Sequence, residues 1–373
     1  MPRNVLVVGG GTAGNSLTVL LCRAGLDVTL AEIKPDWNVS GSGITLQGNA
    51  LRVLREVGVW DQVRDHGFSY STLGLTAPDG TVLHVAEDIR TGGPDLPATA
   101  GMQRADLQRI LAGAVRAAGA DVRLGVTVGS LSQHPDGVDV RFSDGTGGRY
   151  DLVVGADGRN SVTRTMIGIG DRPEPTGMGI WRTPAPRPKG LERTDLAYGG
   201  PCYIAGYTPT SDTTIYAYLV EPKRDRDAAD PAGYAAEMRR LAAGYGGHWA
   251  EIRETITDPA QVNYTWFDRL LVGQPWHRGR VVLAGDAAHT CPPTLAQGAA
   301  MSLEDVSVLA ELLAAHETWD DALLTRYCAR RYARVEMVVT ASVQLGQWLL
   351  DGVRDADVPG LIGRTMTVLK DRP

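Results

Sequence analysis

An α/β fold is predicted, in which a doubly wound parallel sheet is interleaved with a mixed β-sheet and followed by a C-terminal helix. Three observations carry the prediction. A strand–helix–strand unit opens the chain, two later apolar strands end in acid-bearing glycine turns, and two segments of period-two patterning interrupt them.

The first strand is Asn4-Val5-Leu6-Val7-Val8, an apolar run stopped by glycines, as suits a strand buried on both faces. It runs into Gly9-Gly10-Gly11-Thr12-Ala13-Gly14, a G-x-G-x-x-G turn, and then a helix carrying Leu17, Val19, Leu20 and Leu21. After Gly25 the strand Val28–Ala31 ends at Glu32, about 20 residues beyond the motif, which completes a Rossmann-type βαβ unit. Gly9, Gly11 and Gly14 let the backbone approach a pyrophosphate, while Thr12 and Ala13 open a helix with free N–H groups and a positive dipole end. Glu32 is placed to bind ribose hydroxyls, which suits an unphosphorylated ribose and disfavours NADP but leaves NAD and FAD unseparated.

Residues from about 70 to 98 read as short strands around the turn Ala77-Pro78-Asp79-Gly80. A buried strand at Leu152–Gly155 leads into Ala156-Asp157-Gly158 and a helix start, where Asp157 is either a helix cap or a ligand contact. From about 176 to 272 alternating strands and Pro-rich connections follow, with Tyr203 and Tyr207 on one face of their strand and Tyr216 and Tyr218 on one face of theirs. Arg224–Asp230 reads as a solvated charged loop, and Pro231–Tyr245 as a helix burying Met238 and Leu241. A second buried strand, Val281–Ala284, brings Gly285 and Asp286 to its carboxyl end, where open α/β sheets bind ligands. Next come the loop containing Pro292 and Pro293, a small-residue helix start at Gln297-Gly298-Ala299, and an amphipathic continuation through Met301, Leu303, Val306 and Leu309. His289 is read as a neighbour of the Asp286 turn with no chemistry of its own. Tyr327–Leu350 reads as a long helix packed on the core or on a partner.

Composition narrows the function. The chain has 373 residues, 37 Lys+Arg against 43 Asp+Glu and a net charge of −6, so nucleic acid or an anionic membrane surface is not expected as the main partner. Cys22, Cys202, Cys291 and Cys328 show no CxxC or Cys/His ligand spacing, so no metal site or disulfide framework is expected. The first strand begins at once, leaving no room for a signal peptide, and no apolar run reaches the roughly 18 residues of a membrane span. The expectation is a cytoplasmic protein, monomeric or homodimeric.

The three glycine-and-acid motifs, in this order and at these separations, resemble the FAD-dependent aromatic hydroxylases, the group A flavoprotein monooxygenases of the para-hydroxybenzoate and salicylate hydroxylase type. The resemblance covers essentially the whole chain. It implies that the first motif cradles the ADP half of FAD, that Asp157-Gly158 serves FAD and NAD(P)H, and that Gly285-Asp286 places the acid on the ribityl chain. Arg104 matches the family's flavin-contacting arginine, with Gln108 a weaker match on the same helix. Trp181-Arg182 matches the pair where the chain enters the substrate domain. In the loop after the prolines the family often has Gly-Gln-Gly, where this chain has Ala296-Gln297-Gly298, and Ala300 stands where Gly or Asn is common. These replacements stay small, so close approach to the flavin ring remains expected.

The implied architecture is a discontinuous FAD-binding domain (1–70, 99–175, 273–325), a substrate-binding sheet domain (71–98, 176–272) and a C-terminal helical region (326–373). The implied reaction uses NADH or NADPH to reduce FAD and transfers one oxygen of O2 to a phenolic or N-heteroaromatic ring through a flavin C4a-hydroperoxide. Pro292, Pro293 and Arg182 are the residues assigned to the reacting edge. Tyr203, Tyr216 and Tyr218 either roof a planar aromatic substrate or pack the sheet or a subunit contact. The general base is not identified; His84 is one possibility beside an ordinary structural histidine. Two alternatives stand: another flavin oxidoreductase of the same fold (oxidase, dehydrogenase or epoxidase), or a non-enzymatic flavin-binding redox sensor.

Overall fold

The computed structural model describes residues 3–38, 42–225 and 230–373. Its first layer is a six-stranded sheet in the order His277–Arg278, Val281–Leu283, Leu152–Gly155, Asn4–Val8, Asp27–Glu32, Asp121–Leu124. All neighbours run parallel except the two-residue edge strand His277–Arg278. Val5, Leu6 and Val7 are fully buried, as the unbroken apolar run requires of a central parallel strand. Because the strands are parallel, Gly9, Glu32, Ala156 and Ala284 all emerge at one edge of the sheet. The helices Arg104–Ala117 and Gly298–Ala315 pack against Thr12–Arg23, the first helix after the glycine turn.

The second layer is an eight-stranded sheet in the order His289–Thr290, Asn263–Leu271, Glu174–Pro186, Thr214–Pro222, Ile204–Pro209, Thr194–Tyr198, Thr72–Thr76, Val82–Glu87. Strands from both interrupting segments therefore join one sheet. One face is covered by the helices Tyr234–Ala242 and His248–Thr255, with Trp181, Met238, Leu241, Tyr245 and Trp249 in a shared apolar core. Trp181 is 2% exposed; its indole N–H donates to Glu221 Oε1 at 2.6 Å and its ring meets Tyr234 edge-on at 5.1 Å. The other face looks toward the first layer. A small sheet of Gly43–Gln47, Thr99–Gln103 and Phe68–Tyr70 links the two layers, and the helix beginning at Arg104 follows directly from it.

Several local expectations are corrected. The strand expected at Cys202–Tyr207 spans Ile204–Pro209. Tyr207, opposite Ala217, packs with the helix-covered core, whereas Tyr203 precedes the strand and joins a separate cluster with Ile180, Ile204, Val220 and Phe267. The two tyrosines therefore do not share a face: side chains alternate across a strand, and the position preceding it is not bound by that alternation. Arg224 is not merely solvated; it pairs with Glu221 and Glu237, both at 2.6 Å, and lies 5.5 Å from the Trp181 ring. Asp230 caps a short 3-10 turn, and residues 226–229 of that run lie outside the described residues. The long helix starts earlier than expected, at Asp321, where Asp320 caps it by accepting from the Leu323 N–H at 3.0 Å. The meander Val128–His134, Gly137–Phe142, Gly147–Tyr150 was not foreseen.

Candidate active site

At the carboxyl edge of the parallel sheet, facing the second layer, lies a cleft of about 510 Å³, and a second hollow of about 280 Å³ adjoins it. Gly11, Gln108, Ala156 and Gly158 line both, so the two form one elongated groove. It runs from Glu32 at one end to Arg182 and Tyr216 at the other.

The glycine turn is shaped by its neighbours. Gly9 has φ +104°, and a Cβ there would sit 2.5 Å from the Ala156 carbonyl oxygen. A Cβ at Gly14 would collide with the Gly9 carbonyl oxygen, so the helix can approach the strand only without a side chain. The Gly10 carbonyl accepts three side-chain N–H groups: Asn15 Nδ2 at 2.8 Å, Trp37 Nε1 at 3.0 Å and Gln108 Nε2 at 2.7 Å. These bonds fix the turn while Gly11, Thr12 and Ala13 line the groove. Helix Thr12–Arg23 has no side-chain cap on its N-terminus and no acid in its first turn, which favours an anion there. The Glu32 carboxylate accepts from the Gly10 N–H at 2.6 Å and the Lys34 N–H at 2.8 Å, which holds it at the rim of the second hollow. Trp37 and Asn15 carried no sequence signal, because their bonds to Gly10 exist only once the chain has folded.

Asp157 accepts from the Ser161 hydroxyl and, at 2.9 Å, from the Thr163 N–H, so it ties down the following helix while standing at the groove wall. Across the groove Arg159 forms an ion pair with Asp268, joining the first layer to the second. The Asp286 carboxylate reaches into the cleft and is exposed to it, with protein crowded around it. That crowding raises its pKa above the ordinary carboxylate value, against the opposing pull of His289 and Arg104. Ser302 Oγ is its hydroxyl neighbour at 3.4 Å.

The proline loop ends in a 3-10 turn, Pro293–Leu295, and Ala296 takes a left-handed conformation (φ +53°) before helix Gly298–Ala315 begins. This helix too has no side-chain cap and no acid in its first turn, and Gly298 and Ala299 face the cleft. Pro293 lines the cleft, whereas Pro292 is buried behind it. Gln297 precedes the first turn of this helix. Its side chain is fully buried, accepts from Asn49 Nδ2 at 3.0 Å and points toward Met366, so only its backbone is left for the cleft.

Arg182 lines the far end of the cleft, and its Nη1 donates to Thr265 Oγ1 at 2.8 Å. Burial and, next, the like charge of Arg104 push its pKa down to about 10. Among the described residues no carboxylate lies within ion-pair reach of it. Tyr216 lines the same end, its hydroxyl 3.2 Å from Thr45 Oγ1 and its ring 5.2 Å from that of Tyr218. Tyr218 and Tyr203 pack in the sheet behind Tyr216 and are not among the lining residues. His84 lies exposed on the edge strand Val82–Glu87, apart from the cleft.

The groove therefore offers two free helix N-termini, an acid at the rim, an acid between the helices and an unpaired arginine. This donor set fits a dinucleotide with a polar, charge-accepting ring system. Comparison with known proteins agrees. Residues 3–342 match the FAD binding domain family. The chain is 32% identical over 351 residues to 2-heptyl-3-hydroxy-4(1H)-quinolone synthase of Pseudomonas aeruginosa, covering 92% of this chain and 90% of that protein. It is 32% identical over 384 residues to 3-amino-4-hydroxybenzoate 2-monooxygenase PtmB3 of Streptomyces platensis, covering 95% and 92%. Among solved structures, Klebsiella pneumoniae HpxO complexed with FAD and uric acid superposes with a TM-score of 0.82 at 24% identity, over 99% of this chain and 92% of that one, which shows a shared fold. The chain belongs to the FAD binding domain family and is an FAD-dependent monooxygenase of the aromatic hydroxylase type.

Proposed function

We propose that this enzyme hydroxylates a small phenolic or N-heteroaromatic ring, taking electrons from NADH or NADPH and the oxygen atom from O2. The observation that carries the reading is convergence: two uncapped helix N-termini, Asp286, Arg182 and Tyr216 all line one cleft. The chemistry supplied by bound FAD is the redox and oxygen-transfer step itself. Everything else falls to the chain.

In this reading residues 1–70, 99–175 and 273–325 hold the flavin, while 71–98 and 176–272 cover the substrate. Gly9, Gly11, Thr12, Ala13 and Gly14 take the pyrophosphate at the first helix N-terminus, and Glu32 takes the adenosine ribose. Asp157 and Gly158 shape the middle of the groove, with Arg104 and Asp286 on the phosphate and ribityl region. Gln108 acts one step back, by holding the Gly10 carbonyl. The uncapped N-terminus of helix Gly298–Ala315 would hold the ring system and favour negative charge on it. Pro293 walls the reacting edge without an N–H that would draw in water, and Pro292 stiffens the loop behind it. Arg182 binds the ionised oxygen or an acidic substituent of the ring, and Tyr216 stacks or hydrogen-bonds beside it.

The relatives and neighbours named above, described for a quinolone, an aminohydroxybenzoate and uric acid, support a planar ring bearing oxygen. The test is direct. The purified protein is scanned for the flavin spectrum, then NADH and NADPH oxidation is followed with phenols, hydroxybenzoates, hydroxypyridines and quinolones, with product mass measured for each. A stimulated rate with a product heavier by one oxygen is expected. A flavin-loaded protein whose NAD(P)H oxidation no ring compound stimulates, and which forms no oxygenated product, counts against the reading.

A further inference from the structure

Behind the cleft lies a buried charge cluster that the reaction itself does not use. Glu304 and Asp305, consecutive on helix Gly298–Ala315, are both fully buried. Asp305 Oδ2 accepts two donors: the Gly285 N–H at 2.9 Å and His289 Nε2 at 2.6 Å. Its other oxygen accepts from Arg331 Nε at 2.8 Å, and Arg331 Nη1 reaches on to Glu304 Oε2 at 2.9 Å. Glu304 also takes Arg334 and, at 3.1 Å, Asn49 Nδ2, the same nitrogen that donates to Gln297.

The two bonds to Asp305 Oδ2 come from the two ends of the turn Gly285–His289, and Asp286 lies between them. One carboxylate oxygen thus closes the turn into a loop with a fixed base. Through Asn49, Glu304 holds Gln297, the residue preceding the first turn of the same helix. Two adjacent acids therefore anchor both elements that meet at the Asp286 end of the cleft. Stability alone is a poor account of such a cluster. Buried ion pairs carry a large desolvation cost, and apolar side chains of similar volume often serve stability as well or better. Apolar side chains cannot, however, fix the direction of a backbone N–H and an imidazole at once. Burial would raise the Asp305 carboxyl, but His289 and Arg331 outweigh it and hold the group below its ordinary value, so it remains an acceptor for all three donors.

We propose that Asp305 and His289 are positioning residues for the flavin: they clamp both ends of the Gly285–His289 turn and thereby aim Asp286 into the cleft. The inference rests on FAD occupying that cleft. It is tested with apoprotein of the wild type and of H289A, H289Q and H277A, measuring the FAD dissociation constant by flavin fluorescence quenching and the apoprotein melting temperature. His277 is the control, an equally buried histidine paired with Asp321 at 2.9 Å on the sheet's far edge. H289A is expected to weaken FAD binding about tenfold or more, the size of a lost charge-assisted hydrogen bond. H289Q, whose amide N–H can replace Nε2–H, is expected to recover to within about threefold of the wild type. H277A is expected to lower the melting temperature with FAD affinity unchanged. H289A binding FAD as the wild type does, or H277A and H289A weakening it equally, overturns the proposal. Wild-type protein that takes up no FAD overturns instead the reading on which it rests.

Discussion

Trp181 and Arg182, adjacent on the strand Glu174–Pro186, point to opposite faces of the eight-stranded sheet. Trp181 is held by Glu221 in the helix-covered core, while Arg182 stands in the cleft on Thr265. Strand alternation converts one sequence pair into an anchor and a probe. The anchor fixes the strand's register, so the guanidinium is presented by a rigid element rather than a loop.

The first prediction follows from that arrangement. A half-buried arginine with no carboxylate partner among the described residues carries part of its desolvation cost uncompensated, which an anionic ligand would offset. R182M should raise KM for a phenolate or carboxylate substrate at least about tenfold, the loss of a charged hydrogen bond. FAD affinity should change little and the apoprotein should melt no lower than the wild type. R182K should recover part of the loss, since ammonium keeps the charge but not the planar fork. Steady-state kinetics beside a thermal melt checks this; an unchanged KM removes Arg182 from substrate binding.

What the sequence made legible was local. The βαβ unit and the two acid turns at Asp157 and Asp286 are short, contiguous patterns with strong backbone requirements, and they meet at one cleft. The support of those patterns was not legible. Gly10 is held by residues 5, 27 and 98 positions away, a relationship no window on the chain contains. Tyr216 and Tyr218 do share a face of their strand, but the Tyr203 and Tyr207 face failed for a different reason: the strand begins at Ile204 rather than Cys202, and a small boundary error there misplaces Tyr203. Nor was the burial of the Gln297 side chain legible: the left-handed Ala296 redirects the chain just before the helix, so the side chain ends in the core and the backbone alone is left for the cleft.

The two sides of the glycine turn separate packing from ligand space. A Cβ on Gly14 would collide with backbone, whereas one on Gly11 meets no protein atom within 4 Å and points into open groove. G14A should therefore lower both apoprotein stability and FAD affinity. G11A should leave the apoprotein melt unchanged and still weaken FAD binding about tenfold or more, because the methyl occupies room needed by the pyrophosphate. Wild-type affinity in G11A would place the pyrophosphate elsewhere.

Outside the cleft, Glu237 links helix Tyr234–Ala242 to the strand carrying Glu221. Hydrogen bonds from Arg240, opposed by partial burial and reinforced by Arg224, lower its pKa to about 2 from an ordinary 4.5. A depressed carboxyl contributes its stability above the ordinary value and loses it as pH falls toward the folded one. Arg240 is well exposed, so the contribution is discounted for solvent screening to about 1 kcal/mol. E237Q should thus be less stable than the wild type at pH 7, with the gap closing between about pH 4.5 and 2. Denaturant midpoints across that range decide it, and parallel curves would refute it.

Asp286 has the opposite sign and gives the sharpest test of its role. Its pKa is raised by enclosure in the fold. Below the ordinary carboxylate value of 3.8 the group is protonated in both folded and unfolded chains, and it costs nothing. As pH rises through that value and then the folded one, the unfolded chain ionises first, and the folded state loses stability until the penalty is complete. D286N removes the charge at every pH. The variant apoprotein should therefore melt higher than the wild type at neutral pH, with the difference vanishing in acid. The same substitution should weaken FAD binding about tenfold or more, because an amide replaces a charged acceptor on the ribityl hydroxyls. A residue kept at a cost to the apoprotein and a gain to the holoprotein is selected for the ligand. If D286N instead melts lower at neutral pH and binds FAD normally, Asp286 is a cap for its own turn and the flavin contact belongs to another residue.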